Sequence, residues 1–282
     1  MVRRLIALVV LGGAIAAGVA LVSLALRHTG AKAKPAVAPR PLLHIVFPEG
    51  FTRKQMAERI AFIDRKARQK RHVDPTLSAR AYLAATASSL LPGQFNGDKK
   101  RRPLEGFLFP ATYPFYADTT TRQLVAYQLR TFKREWRKVN LGYARSKNLT
   151  QYDVLNIASM IEAEVLAPEE RFKVAAVIYN RLHARMPLGI DATIRYALDI
   201  PPTKSLTKAD LRNPTPYNTR IYRGLPPTPI GNPGLASIQA AAHPAKVDYL
   251  YFVRKPDKVH HFFTASYDEF VAYLKAHGYP VP

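Results

Sequence analysis

The most constraining feature of this sequence is an uncharged apolar run near its N-terminus, from Leu5 to Leu26. A helix rises 1.5 Å per residue, so a run of this length crosses a hydrocarbon core of about 30 Å. We therefore expect a transmembrane helix. A cleaved signal peptide is the alternative, because Ala31-Lys32-Ala33 faintly resembles a cleavage site. The apolar part of such a peptide spans only about 7–15 residues, which favours a retained anchor.

Basic residues flank this run on both sides, so their charge does not orient it. Arg3 and Arg4 precede the run, and Arg27 and Lys32 follow it. A short tail before the run and a long chain after it favour an N-terminus inside the cell and a C-terminus outside. We expect a cytoplasmic tail at 1–4, a transmembrane helix at 5–26 and an extended linker rich in Ala, Pro and basic residues at 27–43.

The composition limits the partners and the chemistry of the chain. Of its 282 residues, 48% are hydrophobic, which is enough to bury one or two cores. The formal charge is +22, from 42 Lys and Arg against 20 Asp and Glu. Such a charge favours anionic partners, such as nucleic acid, acidic lipid headgroups or an acidic polymer. Cysteine is absent, so disulfides and thiol catalysis are excluded.

Local patterns after the linker predict an α+β domain. Apolar residues at helical spacing predict helices that begin after Thr52 and Thr150, both of which are good N-cap residues. The predicted strands are His44–Phe47, Tyr249–Val253 and His260–Thr264. Proline and glycine are too frequent in Asn213–Gly234 for a helix or a central strand.

Several kinds of site are disfavoured by the motifs that the sequence lacks. His260 and His261 are adjacent, so in a strand they point to opposite faces and do not chelate one metal easily. There is no GxSxG elbow and no Walker or Rossmann glycine pattern. The basic residues are scattered rather than clustered on one motif. We expect no metal, no cofactor and no nucleic-acid partner, and carboxylates remain the candidates for catalysis.

Two acids, Glu162 and Glu164, lie at the end of an otherwise apolar helical run. Long helical side chains lean toward the N-terminus, so Glu162 covers small residues whereas Glu164 covers Met160 and Ile161. Desolvation and the negative end of the helix dipole both raise a carboxyl pKa, which suits Glu164 to general-acid catalysis. From this local pattern alone, the alternative that both are solvated acids paired with Lys or Arg stays open.

Other positions allow either a site role or a plain structural one. Glu105 is a candidate site residue or a surface acid in a turn. Asp191 is a candidate site residue or the cap of a helix over 192–198. Tyr217, Asn218 and Asn232 suit sugar binding, where rings stack on aromatic side chains and amides bind hydroxyls, but a rigid loop explains the surrounding prolines equally well.

Five sequence blocks, in order, resemble the MltG-type endolytic murein transglycosylases, also called YceG-like proteins. The blocks are LEGFLFPATY (104–113), ASMIEAEV (158–165), VIYNRLHARMPLGIDATIRYAL (177–198), PYNTRIYRGLPPTPIGNPG (216–234) and AAAHPAKVDYLYFV (240–253). The similarity extends from about residue 44 to about residue 270. Five ordered blocks make a chance match very improbable.

The resemblance implies a single-pass protein of the inner (plasma) membrane with an extracytoplasmic α+β domain of helices and a small, mostly antiparallel sheet. It implies a small α/β lead-in region at 44–103 and a catalytic domain at 104–282. The implied activity is that of a lyase, which cuts the MurNAc–GlcNAc β-1,4 bond of nascent glycan strands. It leaves 1,6-anhydro-MurNAc ends and so terminates elongation. The implied partners are glycan strands, inner-membrane lipid and peptidoglycan synthases.

The resemblance also implies roles for particular residues. The catalytic acid of the family is the second glutamate of the E-x-E pair, which is Glu164 here. The residues that it implies line or brace the cleft are Glu105, Glu162, Asn180, Asp191, Thr193, Tyr217, Asn218 and His243.

The sequence departs from the family pattern at two places. Ala111 stands where the family usually has Asp, and Gly189-Ile190-Asp191-Ala192 replaces a Gln-Ser/Thr-Asp-Pro run. A non-catalytic wall-binding or scaffolding relative is the alternative function that these substitutions permit. A hydrolytic muramidase is a third possibility.

Overall fold

Helices and short strands alternate through the part of the chain that the computed structural model describes, residues 40–95, 97 and 99–281. The helices are α1 (Arg53–Arg71), α2 (Ala79–Ala87), α3 (Thr121–Trp136), α4 (Gly142–Ser146), α5 (Gln151–Glu164), α6 (Arg171–His183), α7 (Asp191–Leu198), α8 (Lys208–Leu211), α9 (Leu235–Ala242) and α10 (Tyr267–Ala276). The strands are β1 (Leu43–Val46), β2 (Ser89–Leu90), β3 (Arg101–Arg102), β4 (Thr112–Phe115), β5 (Tyr251–Arg254) and β6 (His261–Thr264). Short 3-10 helices occupy Gly93–Phe95 and Pro168–Glu170. The predicted α+β class is confirmed.

Capping boxes start both helices that the sequence predicted from their N-caps. The Thr52 hydroxyl accepts from the Gln55 N–H, and the Gln55 side chain accepts from the Thr52 N–H. Thr150 and Asp153 make the same reciprocal pair at the start of α5. Each box satisfies backbone donors that have no partner inside the helix, so a local motif is sufficient to set where the helix begins.

The strands form antiparallel pairs: β1 with β4, β2 with β3 and β5 with β6. In the first pair, Leu43 lies opposite Phe115 and Ile45 opposite Tyr113, and all four side chains are buried. The predicted pairing of two C-terminal strands is confirmed as β5 with β6. Because β1 pairs with β4, the lead-in region and the segment after residue 103 share one compact unit, which begins at Pro41.

Helix α5 runs through the centre of this unit. Every residue from Val154 to Ile161 is buried, so the helix is enclosed on all sides by other elements. It packs against α6 and against α9, whose Ala240, Ala241 and Ala242 are fully buried. These small side chains allow the two helix axes to approach closely. The central position of α5 places its C-terminal acids against several other elements at once.

An aromatic cluster supports the turn that holds Glu105. The Phe107 ring packs edge-on to Phe95, with centroids 5.0 Å apart, and lies 5.1 Å from Phe132. Trp136 completes the cluster at 4.8 Å from Phe95. These contacts hold the 104–109 turn against α3, because buried aromatic rings contribute both area and geometric preference.

In the part of the chain that the structure describes, no helix is both long enough and apolar enough to span a bilayer. The predicted transmembrane helix at 5–26 lies outside the described residues, as do the cytoplasmic tail at 1–4 and all of the linker before residue 40.

Candidate active site

The two acids at the end of α5 have different neighbours. Each residue of a helix is rotated by about 100° from the one before it, so residues two apart point to nearly opposite sides of the helix. The Gly234 N–H donates to Glu162 Oε2 at 3.0 Å, whereas the Ala192 N–H donates to Glu164 Oε1 at 3.4 Å. Glu162 therefore faces the proline-rich loop, and Glu164 faces the start of α7.

Glu164 is half-buried as a residue, and the pKa of its carboxyl is raised above the usual value. Desolvation is the main cause of the raised pKa, and the negative charge of Asp191 adds to it. The Ala192 N–H, Arg254 and Arg195 act in the opposite direction and lower the pKa. Arg254 also donates to the backbone carbonyl of Glu164 at 2.7 Å, which satisfies a carbonyl at the helix end. Such a carboxyl can hold a proton and give it up.

Glu162 lies where the proline-rich loop crosses the turn at 48–51. A Cβ atom at Gly234 would collide with the Glu49 carboxylate, and a Cβ atom at Gly231 would come within 2.6 Å of the Gly50 carbonyl oxygen. At Gly231 the obstructing atom is backbone, so only glycine permits this approach of the two backbones. The pKa of Glu49 is raised by burial and then by the nearby Glu162 charge. No local pattern in the sequence identifies Glu49 as a member of this group.

Glu105 is buried, with only 2% of its surface exposed, so its interpretation as a surface acid is wrong. Its carboxylate accepts from the Arg53 N–H at 3.0 Å, from Asn232 Nδ2 at 2.8 Å and from the Tyr196 hydroxyl at 3.1 Å. Burial raises its pKa to about 7, although these hydrogen bonds favour the charged form. Glu105 thus ties three distant segments together instead of facing solvent.

Asp191 is the first residue of α7 and not its cap, so the capping interpretation is wrong. The N-cap is Ile190, which makes no side-chain capping bond. The Asp191 carboxylate instead accepts from Arg220 Nε at 2.7 Å. Thr193 is fully buried and donates to the Ile190 carbonyl at 2.7 Å, beside the hydroxyl of Thr219 at 3.2 Å. These bonds hold the turn that presents the Ala192 N–H to Glu164.

Two elements connect the three glutamates. Helix α7 contacts Glu164 through Ala192 and, one turn later, Glu105 through Tyr196. The proline-rich loop contacts Glu105 through Asn232 and Glu162 through Gly234. The structure therefore gathers Glu105, Glu162, Glu164, Asp191 and Thr193 around one junction of α5, α7 and the loop.

Tyr217 and Asn218 brace the segment that follows α8. The Tyr217 hydroxyl lies 2.8 Å from the Thr228 hydroxyl, and its ring is 5.3 Å from that of Tyr196. Asn218 is fully buried and donates to two carbonyls of residues 211–213, at 3.0 and 2.8 Å. Tyr217 thus reaches the site through Tyr196, whereas the Asn218 amide stabilises the loop itself.

Asn180 and His243 have surroundings other than the three glutamates in the described part of the chain. Asn180 donates to the carbonyls of Val247 and Tyr249 at 3.0 and 2.9 Å, and it fixes the approach to β5. His243 is exposed and follows the C-terminal end of α9, whereas Gly234 precedes the N-terminal end of the same helix. Among the described residues, no hydrogen bond or ion pair joins either side chain to the glutamates.

Sequence reasoning missed the basic and aromatic partners of these acids. Arg53, Tyr196 and Arg254 contact the acids from positions 52 to 91 residues away along the chain. Asn232 was noted only as a residue that suits sugars, although it bonds to Glu105. No local pattern identifies such partners, because their proximity depends on how the elements pack.

The histidines of the β5–β6 hairpin are each paired with an acid. His261 Nδ1 lies 2.6 Å from Glu170 Oε2, and His260 Nδ1 lies 2.9 Å from Asp257 Oδ2. Over residues 40–95, 97 and 99–281, no group of three or more potential ligands is placed to hold a metal ion.

Comparison with known proteins gives a consistent picture. The chain matches the model of the YceG-like family over residues 23–276. The endolytic murein transglycosylase of Bacillus subtilis is 40% identical over 163 residues, which cover 55% of this chain and 43% of that protein. The endolytic murein transglycosylase of Streptococcus pneumoniae strain R6 is 33% identical over 233 residues, covering 75% of this chain and 40% of the relative. The chain thus matches less than half the length of these curated relatives.

A solved structure shares the fold. The crystal structure of a yceG-like protein from Listeria monocytogenes aligns with a TM-score of 0.62 at 30% sequence identity. The alignment covers 84% of this chain and 76% of that protein. The arrangement of helices and small antiparallel sheets is therefore one that an experimental structure also contains.

Proposed function

This chain belongs to the YceG-like family, and we propose from that premise that it is an endolytic lytic transglycosylase. Its substrate is the MurNAc–GlcNAc β-1,4 bond of nascent peptidoglycan strands. The observation that carries this proposal is Glu164, a half-buried residue at the end of a buried helix whose carboxyl has a raised pKa. The curated relatives, which are named endolytic murein transglycosylases, support the same activity.

One carboxyl is sufficient for this reaction. The Glu164 O–H protonates the bridging glycosidic oxygen as the bond from MurNAc C1 to that oxygen breaks, and the GlcNAc side leaves with a new hydroxyl. The Glu164 carboxylate then takes the proton of the MurNAc C6 hydroxyl, whose oxygen attacks C1 and closes the 1,6-anhydro ring. The acid ends protonated again, and no water is consumed. A retaining hydrolase would need a second carboxylate about 5 Å away as the nucleophile.

The neighbours of Glu164 suit both halves of this cycle. Desolvation and the Asp191 charge favour the protonated acid that starts the reaction. The Ala192 N–H and the charges of Arg254 and Arg195 favour the carboxylate that forms after proton transfer. The surroundings thus contain groups that favour each of the two forms that a general acid and base uses in turn.

The cellular placement is part of the proposal. Residues 1–4 form a cytoplasmic tail, 5–26 a single transmembrane helix and 27–43 a linker. The lead-in region at 44–103 and the catalytic domain at 104–282 are extracytoplasmic. The uncharged length of the N-terminal run supports this arrangement. The site then acts on strands made at the same membrane, where peptidoglycan synthases are the expected partners, and cleavage terminates elongation.

Product analysis tests the activity. The full chain in detergent is incubated with uncrosslinked glycan strands, and the new ends are identified by mass spectrometry. We expect 1,6-anhydro-MurNAc ends, and we expect Glu164→Gln to reduce their rate of formation by roughly 10²–10⁴-fold, the usual contribution of a general acid. Glu162→Gln is the matched control on the same helix, and it retains measurable cleavage.

Each other outcome points to a different function. Reducing ends in place of anhydro ends indicate a hydrolytic muramidase. No cleavage by a folded chain that still binds strands indicates a wall-binding or scaffolding relative. An inactive Glu162→Gln variant beside an active Glu164→Gln variant contradicts the assignment within the pair.

A further inference from the structure

The last turns of α1 form an exposed basic surface, here called the basic end. It consists of Arg65, Lys66, Lys70 and Arg71, all of which are exposed. The nearby acids Asp64 and Asp74 both pair with Arg68. Within the part of the chain that the structure describes, no carboxylate pairs with the four residues of the basic end. Their charges therefore remain available to an external anion.

The basic end lies where the preceding chain joins the compact unit. Arg68 is ion-paired with Asp74, and two residues later the Thr76 N–H donates to the Ala117 carbonyl at 2.7 Å. Ala117 closely follows β4, whose last residue lies opposite Leu43 in the β1–β4 register. Because Leu43 starts the first strand, the polypeptide enters the unit at this same end.

Exposed apolar groups accompany the basic residues. Leu42 and Tyr116, which flank the entry of the chain, are 43% and 42% exposed. Phe62 is 40% exposed on α1, and the Lys66 ammonium lies 4.6 Å from its ring centroid. Lysine and arginine beside leucine and aromatic side chains are the combination that favours the headgroup region of a bilayer.

We propose that this end of the unit docks on anionic phospholipid headgroups. The inference rests on the proposed N-terminal anchor, because that anchor would hold the unit beside the bilayer. The part of the linker before the compact unit, residues 27–40, has 14 residues and reaches at most about 50 Å, so the effective lipid concentration at the basic end is high. The four cations of the basic end then supply the electrostatic attraction.

Docking of this kind limits the distance between the active site and the membrane surface. Helix α1 has 19 residues, and its first residue, Arg53, donates to Glu105 at the junction described above. The basic end occupies the opposite end of the helix, about 27 Å away at 1.5 Å per residue. An α1 helix held by its basic end therefore presents the cleft at a limited distance from the membrane.

A site-specific label can test the docking because the chain has no cysteine. Gln69→Cys places one fluorophore in the basic end of the full chain, and Ala276→Cys places one on α10 as the matched control. Each protein is reconstituted in nanodiscs of phosphatidylcholine alone or mixed with phosphatidylglycerol. Quenching by acrylamide is then measured. For the label at 69, we expect the anionic lipid to lower the acrylamide quenching constant roughly threefold or more. For the label at 276, we expect the same quenching constant in both lipids.

Charge-swap variants provide the second control. The basic-end variant combines Arg65→Glu, Lys66→Glu, Lys70→Glu and Arg71→Glu. The matched variant combines Lys208→Glu, Arg212→Glu, Lys246→Glu and Lys275→Glu, with the same change in net charge. We expect protection to disappear in the first and to persist in the second. Protection should also disappear at 1 M salt, where the Debye length is about 3 Å.

Equal quenching in both lipids, or protection that survives in the basic-end variant, overturns the proposal. Protection that appears only when glycan strands are added assigns the surface to their anionic peptide stems and likewise overturns it. The proposed cleavage activity is measured independently of docking, because the basic-end variant should cleave soluble strands at the normal rate. If the chain does not embed in nanodiscs, the anchor proposal fails, and the same quenching measurement with added anionic liposomes still decides the docking.

Discussion

Glu105 and Glu164 are both acids of raised pKa at one junction, yet their surroundings differ. Glu105 is buried and accepts hydrogen bonds from Arg53, Asn232 and Tyr196. Glu164 is half-buried, and from the described residues its carboxyl accepts one hydrogen bond, the long one from Ala192. Desolvation raises the pKa of both groups. The pKa alone therefore does not distinguish a catalyst from a structural acid.

The two carboxylates differ in how many of their lone-pair positions remain free to accept a hydrogen bond from a ligand. A carboxylate offers about four lone-pair positions, and at Glu105 protein donors already fill most of them. At Glu164 a ligand can approach the unused positions, which a proton transfer to substrate requires. We infer that Glu105 braces the junction and that Glu164 performs the chemistry.

Matched glutamine substitutions should separate the two roles most strongly. Glu164→Gln removes the transferable proton, so we expect kcat to fall by roughly 10²–10⁴-fold with little change in the free energy of unfolding. Glu105→Gln points an amide N–H at a backbone or hydroxyl donor, so its main effect should be a loss of stability of about 1–3 kcal/mol. Initial rates of anhydro-product formation and urea denaturation measure the two effects. A Glu105→Gln variant that is stable but inactive would contradict the comparison.

The pH dependence of the free energy of unfolding should reveal the protonation of Glu105. Its pKa is about 7 in the folded chain against an ordinary 4.5, so the folded state binds this proton more tightly. Its contribution is complete below pH 4.5 and is lost as the pH rises through 7, by up to about 3 kcal/mol. When protonated, Glu105 can donate to the Tyr196 oxygen, the one partner able to accept.

Urea denaturation of the wild-type chain and of Glu105→Gln between pH 4 and pH 8 measures this contribution. As the pH rises, the free energy of unfolding of the wild type should fall relative to that of the Glu105→Gln variant. A difference that is independent of pH would show that Glu105 does not titrate in this range.

Single substitutions beside Glu164 should produce smaller effects, which are shifts of the Glu164 pKa in opposite directions. Asp191→Asn removes a negative charge that raises the Glu164 pKa, so the alkaline limb of the kcat/KM profile should move to lower pH. Ala192→Pro removes the N–H that lowers this pKa, so the limb should move to higher pH. Proline costs little in the first turn, where N–H groups have no helical acceptor. Shifts in the same direction would contradict the account of Glu164.

The local parts of the fold were predictable because their causes are local. The capping residues Thr52 and Thr150 bond to groups three residues away. The proline-rich segment at 213–234 contains neither helix nor strand, as its composition predicts. The hairpin of β5 and β6 also follows from its own residues. The roles of Glu105 and Asp191 were left open because their neighbours come from elsewhere.

The sequence by itself determined the helix starts, the α+β class and the family, since each depends on short patterns of residue type. Tertiary structure decided which acids are buried and what they contact. Glu105 receives bonds from positions 52, 91 and 127 residues away, and Glu164 receives Arg254 from 90 residues away. A carboxyl pKa is set by desolvation and by nearby charges, and both exist only after these distant segments have packed together.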